Sequence, residues 1–401
     1  MTPREAAGEI WRAGLASVEP EAAVRRHVRA VLPRVGRAGK VWVVGAGKGA
    51  AAMARGVGGE LDLAGGCLAA PGFADAPVSL HVGSHPLPSA ASIAAGEAVA
   101  ALVASVPPED LICAVWSGGG SASIAAPHPG QSLEALIALS TGLLRSGLPI
   151  AAVNTVRRRA YRWAGGRLRA LSRAPILSLG LCDVPPGPLA SATVASGPTV
   201  ADPTSRADAK AILASAGLDG FSALLADDVE VRGGMYRMVG SASDVVHAAS
   251  HRARSLGWVP VVLSAWEDRP ADLTVLRVDD AARAAAGGPP LALLLAGEPA
   301  VKVAGRGFGG RCQHAAARLA GAIAGRPITA LLAGLDGIDG NTLAAGGLVD
   351  GGTRERAGSD PEGALGDGDG GSWLEAAGDR WITGPTGTAC CDLWVVLVGA
   401  P

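Results

Sequence analysis

VWVVGAGKGA, residues 41–50, passes from an apolar run through a glycine turn into an alanine-rich segment that continues through Met53. Such a run reads as a buried strand, the glycines as a turn free of side chains, and the alanines as a helix whose N-terminus points back at the turn, a ready site for an anion. Lys48 sits inside the turn. A cation among backbone N–H groups suits a ligand more highly charged than the amides alone would hold, and phosphate is the usual one. Gly45 and Gly47 shape this turn and are candidate phosphate or nucleotide contacts.

The design recurs in residues 111–126, LICAVWSGGGSASIAA, where a strand leads to a triple glycine and then to serines able to cap or begin a helix. In an open parallel sheet two such turns lie along one carboxyl edge, where ligands bind, so Gly118, Gly119, Gly120 and Ser121 join the phosphate candidates. Residues 65–71 read as a further strand. His85 stands between Ser84 and Pro86, before a Ser/Ala-rich helix with capping candidates Ser89 and Ser92. Residues 153–171, VNTVRRRAYRWAGGRLRAL, predict a basic helix. Most of its arginines read as a solvated face, with Arg157 the one aimed at a carboxylate or phosphate. The strand PILSLGLCDV, residues 175–184, brings Asp183 to the same edge, and residues 4–33 predict two helices, broken at Pro20, laid against this main sheet.

A chain of 401 residues exceeds one ordinary core. A mixed charged and glycine-rich stretch at 226–240 suggests domains at 1–236 and 237–401. The second half reads as strand, turn, strand, glycine loop and a helix beginning at Arg311, then a strand ending in a turn with Asp336 and Asp339. Apolar residues make up 49% but aromatics only 3%, so small-residue packing is expected. Lys plus Arg number 35 against 36 Asp plus Glu, which leaves no field to steer the chain to nucleic acid or an anionic membrane. Six cysteines without a CxxC pair indicate neither a zinc site nor a disulfide framework and fit a reducing cytoplasm. No apolar run reaches the ~18 residues that span a bilayer, and the opening MTPREAAGEI lacks the pattern of a signal peptide. A calcium loop counted from Asp367 fails, since its twelfth position is Gly378.

GAGKGA also fits a dinucleotide fingerprint, with Ala50 in the third glycine's place, and an NAD(P)-dependent reductase is the alternative enzyme. That fingerprint needs an acid at the end of the second strand about 20 residues on. Here the strand ends CLAAPG, and Asp75 lies beyond Pro71 and Gly72. The spacing is not that of a Walker A motif, and SGGGSAS has Ser123 where a nucleophile elbow needs glycine. Two glycine turns, one carrying Lys48, a third before Arg311, and Asp183 and Asp336 at strand ends supply the parts that phosphoryl transfer from ATP requires.

In order, GAGKGA, SHPLPS, WSGGGSAS, VNTVR with GGRL, CDV with ASGPT, the AGE turn, GRGFGGRCQ, LDGIDGNTLAAGG and TGPTGT make a chain that resembles glycerate 2-kinases of the MOFRL type, formerly labelled hydroxypyruvate reductases, from about residue 5 to 400. The resemblance implies an α/β fold: a Rossmann-like N-terminal parallel sheet with helices on both faces, a mixed α/β C-terminal domain, and an active site in the cleft between them. It implies phosphorylation of D-glycerate at O2, or of a related small hydroxy acid, by ATP with Mg²⁺ in a cytoplasmic monomer or homodimer. Lys48 is then expected to steady the phosphoryl group, Arg311 to hold phosphate or the substrate carboxylate, and Asp183 and Asp336 to serve as base or Mg²⁺ ligand. His85 and Arg157 are substrate-binding candidates. The chain departs from the family pattern at Ser84, Ala164, Cys182, Cys312, His314, Leu335, Leu343 and Ala389–Cys391, where glycines survive and polar side chains change. Losing hydrogen-bonding groups from a site alters substrate or rate, so a catalytically weak, ligand-binding relative is the second expectation.

Overall fold

The computed structural model describes residues 1–35, 39–181, 184–185, 187, 189–231, 233–302 and 305–401. Cys182 and Asp183 lie outside the described residues. The chain forms two compact units, Pro20–Gly240 and Met1–Glu19 with Ser241–Pro401.

In Pro20–Gly240 six strands form one sheet: β1 (Val41–Ala46), β2 (Leu63–Ala70), β3 (Ser79–Val82), β4 (Leu111–Trp116), β5 (Ile176–Leu181) and β6 (Met235–Gly240). All are parallel, in the order β3-β2-β1-β4-β5-β6. This is a doubly wound order, whose direction reverses between β1 and β4. Every residue of β4 and β5 is buried, which explains their unbroken apolar runs. Ala46 pairs with Trp116, so the two glycine turns leave the sheet at one level, on either side of the switch point. One face, with Val44, Ala46, Ala69, Ile112 and Trp116, packs on Ala95, Val99 and Val103 of the helix Ala90–Ser105. The helix Ala50–Gly58 packs on β1, β2 and β4.

The second sheet holds β7 (Val259–Glu267), β8 (Leu291–Gly297), β9 (Ile328–Gly334), β10 (Gly346–Asp350), β11 (Arg380–Trp381) and β12 (Asp392–Val398). Its order is β11-β10-β9-β12-β8-β7, with β7 and β8 parallel and the remaining pairs antiparallel. The helices Ala271–Ala284 and Arg311–Ala322 cover it through Val275, Val278, Ala316 and Leu319.

The N-terminal helix does not join the main sheet as the sequence suggests. Pro3–Ser17 carries an apolar face of Ala6, Ala7, Ile10 and Trp11 that packs on β9, β12 and the helix Ala242–Ser255. Trp11 is fully buried and its Nε1–H donates to the Ala333 carbonyl at 3.2 Å. Pro20 opens the next helix, Pro20–Val35, which packs on Ala50–Gly58 in the other unit. The boundaries are therefore 19/20 and 240/241 instead of one at 236/237.

The basic helix is also different from its reading as a solvated face. It breaks into Ile150–Ala160 and Arg167–Leu171 across Gly165 and Gly166, both at positive φ. Arg158 and Arg159 are only 1% and 2% exposed. Both pair with the buried Asp202, at 2.8 and 3.0 Å, and Arg159 also with Asp228. Buried guanidinium groups persist where carboxylates compensate them, and Asp202 is remote in sequence. Among the described residues no helix is long and apolar enough to cross a membrane.

Candidate active site

At the carboxyl edge of the parallel sheet the two glycine turns are stitched together. Lys48 N donates to the Gly118 carbonyl at 2.9 Å, Gly47 N to the Ala69 carbonyl at 3.0 Å, and Gly49 N to Ser117 Oγ at 3.0 Å. Gly47 has φ +123° and a Cβ there would lie 2.3 Å from Ser117 Oγ, so close approach of the turns demands glycine. A Cβ on Gly119 would lie 3.5 Å from His85 Cδ2 and 3.7 Å from Lys48 Cγ. Gly119, His85 and Lys48 are thus neighbours. Partial burial, then Lys48 and Arg157, hold the His85 imidazole below its ordinary range, so it is neutral between two cations. Arg157 lies over the Tyr161 ring at 6.0 Å, and its Nε is buried without a hydrogen-bond partner among the described residues. Lys48 is exposed. Two cations beside the positive end of the helix Ala50–Gly58 can hold a multiply charged anion.

The turn after β4 contributes less than its sequence suggests. The helix following the triple glycine is only Gly120–Ser123, too short to carry a useful dipole. Ser121 Oγ hydrogen-bonds Ser196 Oγ, which donates to Asn154 Oδ1 at 2.8 Å, so Ser121 is committed to the protein. Ala195 and Ser196 have φ of 50° and 58°, two non-glycine residues in a region that costs about 1–3 kcal/mol each and is found at functional sites.

The second sheet gathers a different set of groups. Asp392 pairs in register with Gly297 of β8 and Gly334 of β9, which levels the carboxyl ends of those strands with the start of β12. Arg311, the first residue of its helix, gives Nε–H to Asp392 Oδ2 at 2.6 Å and Nη2–H to Asp392 Oδ1 at 2.9 Å. The same Nη2 is 3.0 Å from Glu298 Oε1. A Cβ on Gly334 would find Asp336 Oδ1 at 3.2 Å and Asp392 Oδ1 at 3.3 Å. Asp392 and Glu298 therefore both engage the Arg311 guanidinium, and Asp336 lies near Asp392. Asp339, 5% exposed, accepts from Cys312 N at 3.1 Å and Gln313 N at 2.7 Å. It occupies the N-terminus of Arg311–Ala322, and burial pushes its carboxyl up to about 6 against these hydrogen bonds. Among the described residues no group of three His, Cys, Asp or Glu is arranged to hold a metal ion by itself.

Of the three helix starts suggested by glycine turns, one is filled by Asp339 and one is a single turn. The start beside Lys48 is the one left for a ligand. Asp183, the fourth acid or base expected from the sequence, lies outside the described residues. Glu298 and Asp392 carry no expectation from sequence, although Glu298 follows the carboxyl end of β8, the signal that marks Asp183 and Asp336; Asp392 instead opens β12. Most of the departures from the family pattern are in packing: Cys312, Leu335, Cys390 and Cys391 are buried, and His314 bonds Asp272 at 2.9 Å. The end of β2 carries no acid, and the Asp75 carbonyl accepts from Arg55.

Residues 6–226 match the family model described as Domain of unknown function (DUF4147), and residues 291–392 match the MOFRL family. A protein of Agrobacterium vitis named "Putative hydroxypyruvate reductase" is 36% identical, with 100% of this chain and 95% of that protein covered. A D-glycerate 2-kinase of Thermotoga maritima is 30% identical, with 97% of each chain covered. The crystal structure of a glycerate kinase from Thermotoga maritima matches with a TM-score of 0.86 at 29% identity, over 98% of this chain and 99% of that one.

Proposed function

The chain belongs to the family that joins the DUF4147 domain to the MOFRL domain, and from that premise we propose that it is an ATP-dependent kinase acting on the 2-hydroxyl of D-glycerate or of a related small hydroxy acid. The observation that carries this reading is Lys48 and Arg157 around His85 and Gly119 at the switch point of the parallel sheet, in a chain 30% identical to a D-glycerate 2-kinase.

Phosphoryl transfer is mostly positioning and charge stabilisation. Lys48 supplies the cation for the moving phosphoryl group, and the positive end of the helix Ala50–Gly58 favours phosphate oxygens beside it. Arg157 and neutral His85 suit the carboxylate and a hydroxyl of the acceptor. Mg²⁺ comes with the nucleotide and needs only one or two carboxylates beside phosphate oxygens. Asp336, half-buried at the end of β9, fits that demand, and the ion's chemistry would be to neutralise the phosphate charge. We assign Arg311 to holding Asp392 and Glu298 rather than to binding phosphate directly. A reducing compartment such as the cytoplasm suits Cys67, Cys113, Cys312, Cys390 and Cys391, none of which is in a disulfide.

The lack of an acid at the end of β2 argues against a nicotinamide dinucleotide, and burial of Cys312, Leu335, Cys390 and Cys391 in packing argues against a binding-only relative. ADP release on mixing the protein with MgATP and D-glycerate tests the reading. NADH oxidation with hydroxypyruvate and no ADP would replace it with the reductase.

A further inference from the structure

Of the five arginines from Arg157 to Arg167, four have partners within the fold. Arg158 and Arg159 pair with Asp202, Arg162 pairs with Glu97 at 2.7 Å, and Arg167 donates to the Arg158 and Asp227 carbonyls at 2.6 and 2.7 Å. The Arg157 guanidinium has neither a hydrogen bond nor an ion pair among the described residues, although its Nε is buried. One turn earlier on the same helix, Asn154 is 3% exposed. Its Oδ1 accepts from Ser196 Oγ at 2.8 Å, and its Nδ2 has no hydrogen-bond partner among the described residues. Residues three apart share a helix face, so an unused amide stands beside an unused guanidinium.

Asn154 is held from outside its helix. Ser196 Oγ also hydrogen-bonds Ser121 Oγ, two residues beyond Gly119. Ser196 lies between Ala195 and Gly197, and all three have positive φ. A Cβ on Gly120 would lie 2.7 Å from the Ala46 carbonyl oxygen and 2.9 Å from Ala195 Cβ, so this left-handed segment is wedged against the end of β1 and the second glycine turn. Such backbone is costly for Ala195 and Ser196, and it fixes one hydroxyl between Ser121 and Asn154. Gly119 is beside His85, and Arg157 is near enough to His85 to depress its titration. Gly119, His85, Arg157, Asn154, Ser196 and Ser121 therefore close a ring of neighbours, all within Pro20–Gly240.

Resting on the kinase reading above, we infer that Asn154 is a specificity-determining residue for the acceptor: its Nδ2 donates to one oxygen of the hydroxy acid's carboxylate while Arg157 takes the other. A planar guanidinium with an amide N–H beside it matches two oxygens in one plane. Lys48 and the positive end of Ala50–Gly58 suit the more concentrated charge of phosphate. Buried polar groups are hydrogen-bonded in folded proteins, and the carboxylate supplies the partner that the chain does not.

The test measures calorimetric binding to the full chain, of MgADP alone and of D-glycerate with MgADP present, beside ADP release from MgATP. Asn154→Asp is the decisive variant, because it keeps an oxygen for Ser196 Oγ and has no N–H to give. It should weaken D-glycerate binding by roughly 10–100-fold, the loss of one hydrogen bond to a charged group, with MgADP affinity near wild type. Asn154→Ala should do the same. Wild-type D-glycerate affinity in Asn154→Asp overturns the inference and leaves Asn154 a support for Ser196. Lost MgADP affinity with D-glycerate affinity retained overturns it by making the amide a phosphate contact, and loss of both affinities in both variants overturns it by making Asn154 a requirement of the fold. A wild type that binds D-glycerate through Asn154 but releases no ADP keeps the carboxylate contact and overturns the kinase reading. A wild type that releases ADP while Asn154→Asp binds D-glycerate normally overturns the inference alone.

Discussion

The turn that carries Lys48 was legible because its parts are contiguous: the strand, the turn and the helix start lie within ten residues. The pairing of Glu298 and Asp392 with Arg311 was not, since it forms only when the fold brings these residues together from distant parts of the chain. The same holds for Arg158 and Arg159, which look like surface charges until Asp202 is folded between them. Lys48→Ala should lower kcat/KM by roughly 10²–10³-fold, the usual effect of removing one group that stabilises transition-state charge, with unfolding in urea unchanged because the side chain is exposed. Asp339 makes a pH-dependent prediction. Its folded pKa of about 6 stands above the ordinary 3.8, so between these values the folded chain binds more protons than the unfolded one. Its contribution to stability is full below the lower value and is lost as pH rises through the upper one. The melting temperature of wild type minus that of Asp339→Asn should therefore fall as pH rises through this window and then level off, as followed by scanning calorimetry.

At the scale of elements, the two glycine turns could be read from sequence, whereas the lengths of the helices they open could not. GGGSAS gives the start of a helix but not its end at Ser123, which is set by Ile124 and Ala125 turning into the interior. The glycines differ in what they tolerate. Gly119→Ala meets no close neighbour but sits at φ +83°, and should cost about 1–2 kcal/mol for the left-handed backbone. Gly47→Ala adds a clash at 2.3 Å with Ser117 and should cost clearly more. Urea unfolding of both variants checks the order, and equal losses would mean that the turns are not locked together.

For the whole molecule, the α/β class and the doubly wound sheet followed from the strand, glycine and helix pattern. The exchange of the first helix did not, because an apolar helical face does not say which sheet it covers. Trp11 marks the answer: it is buried against β9 and lies 6.0 Å from Trp381 ring to ring. Trp11→Ala should cost about 3–5 kcal/mol and lower amide protection in β9 and β12 while β1 and β4 keep theirs, as hydrogen exchange would show. The central claim is that this chain moves phosphate to a hydroxy acid, using Lys48. Phosphorus NMR of the wild type and Lys48→Ala, each incubated with ATP, Mg²⁺ and D-glycerate, tests it most directly: the claim predicts a growing 2-phosphoglycerate resonance alongside ADP in the wild type and almost none in the variant, and no phosphoglycerate in either, or equal amounts in both, would contradict it.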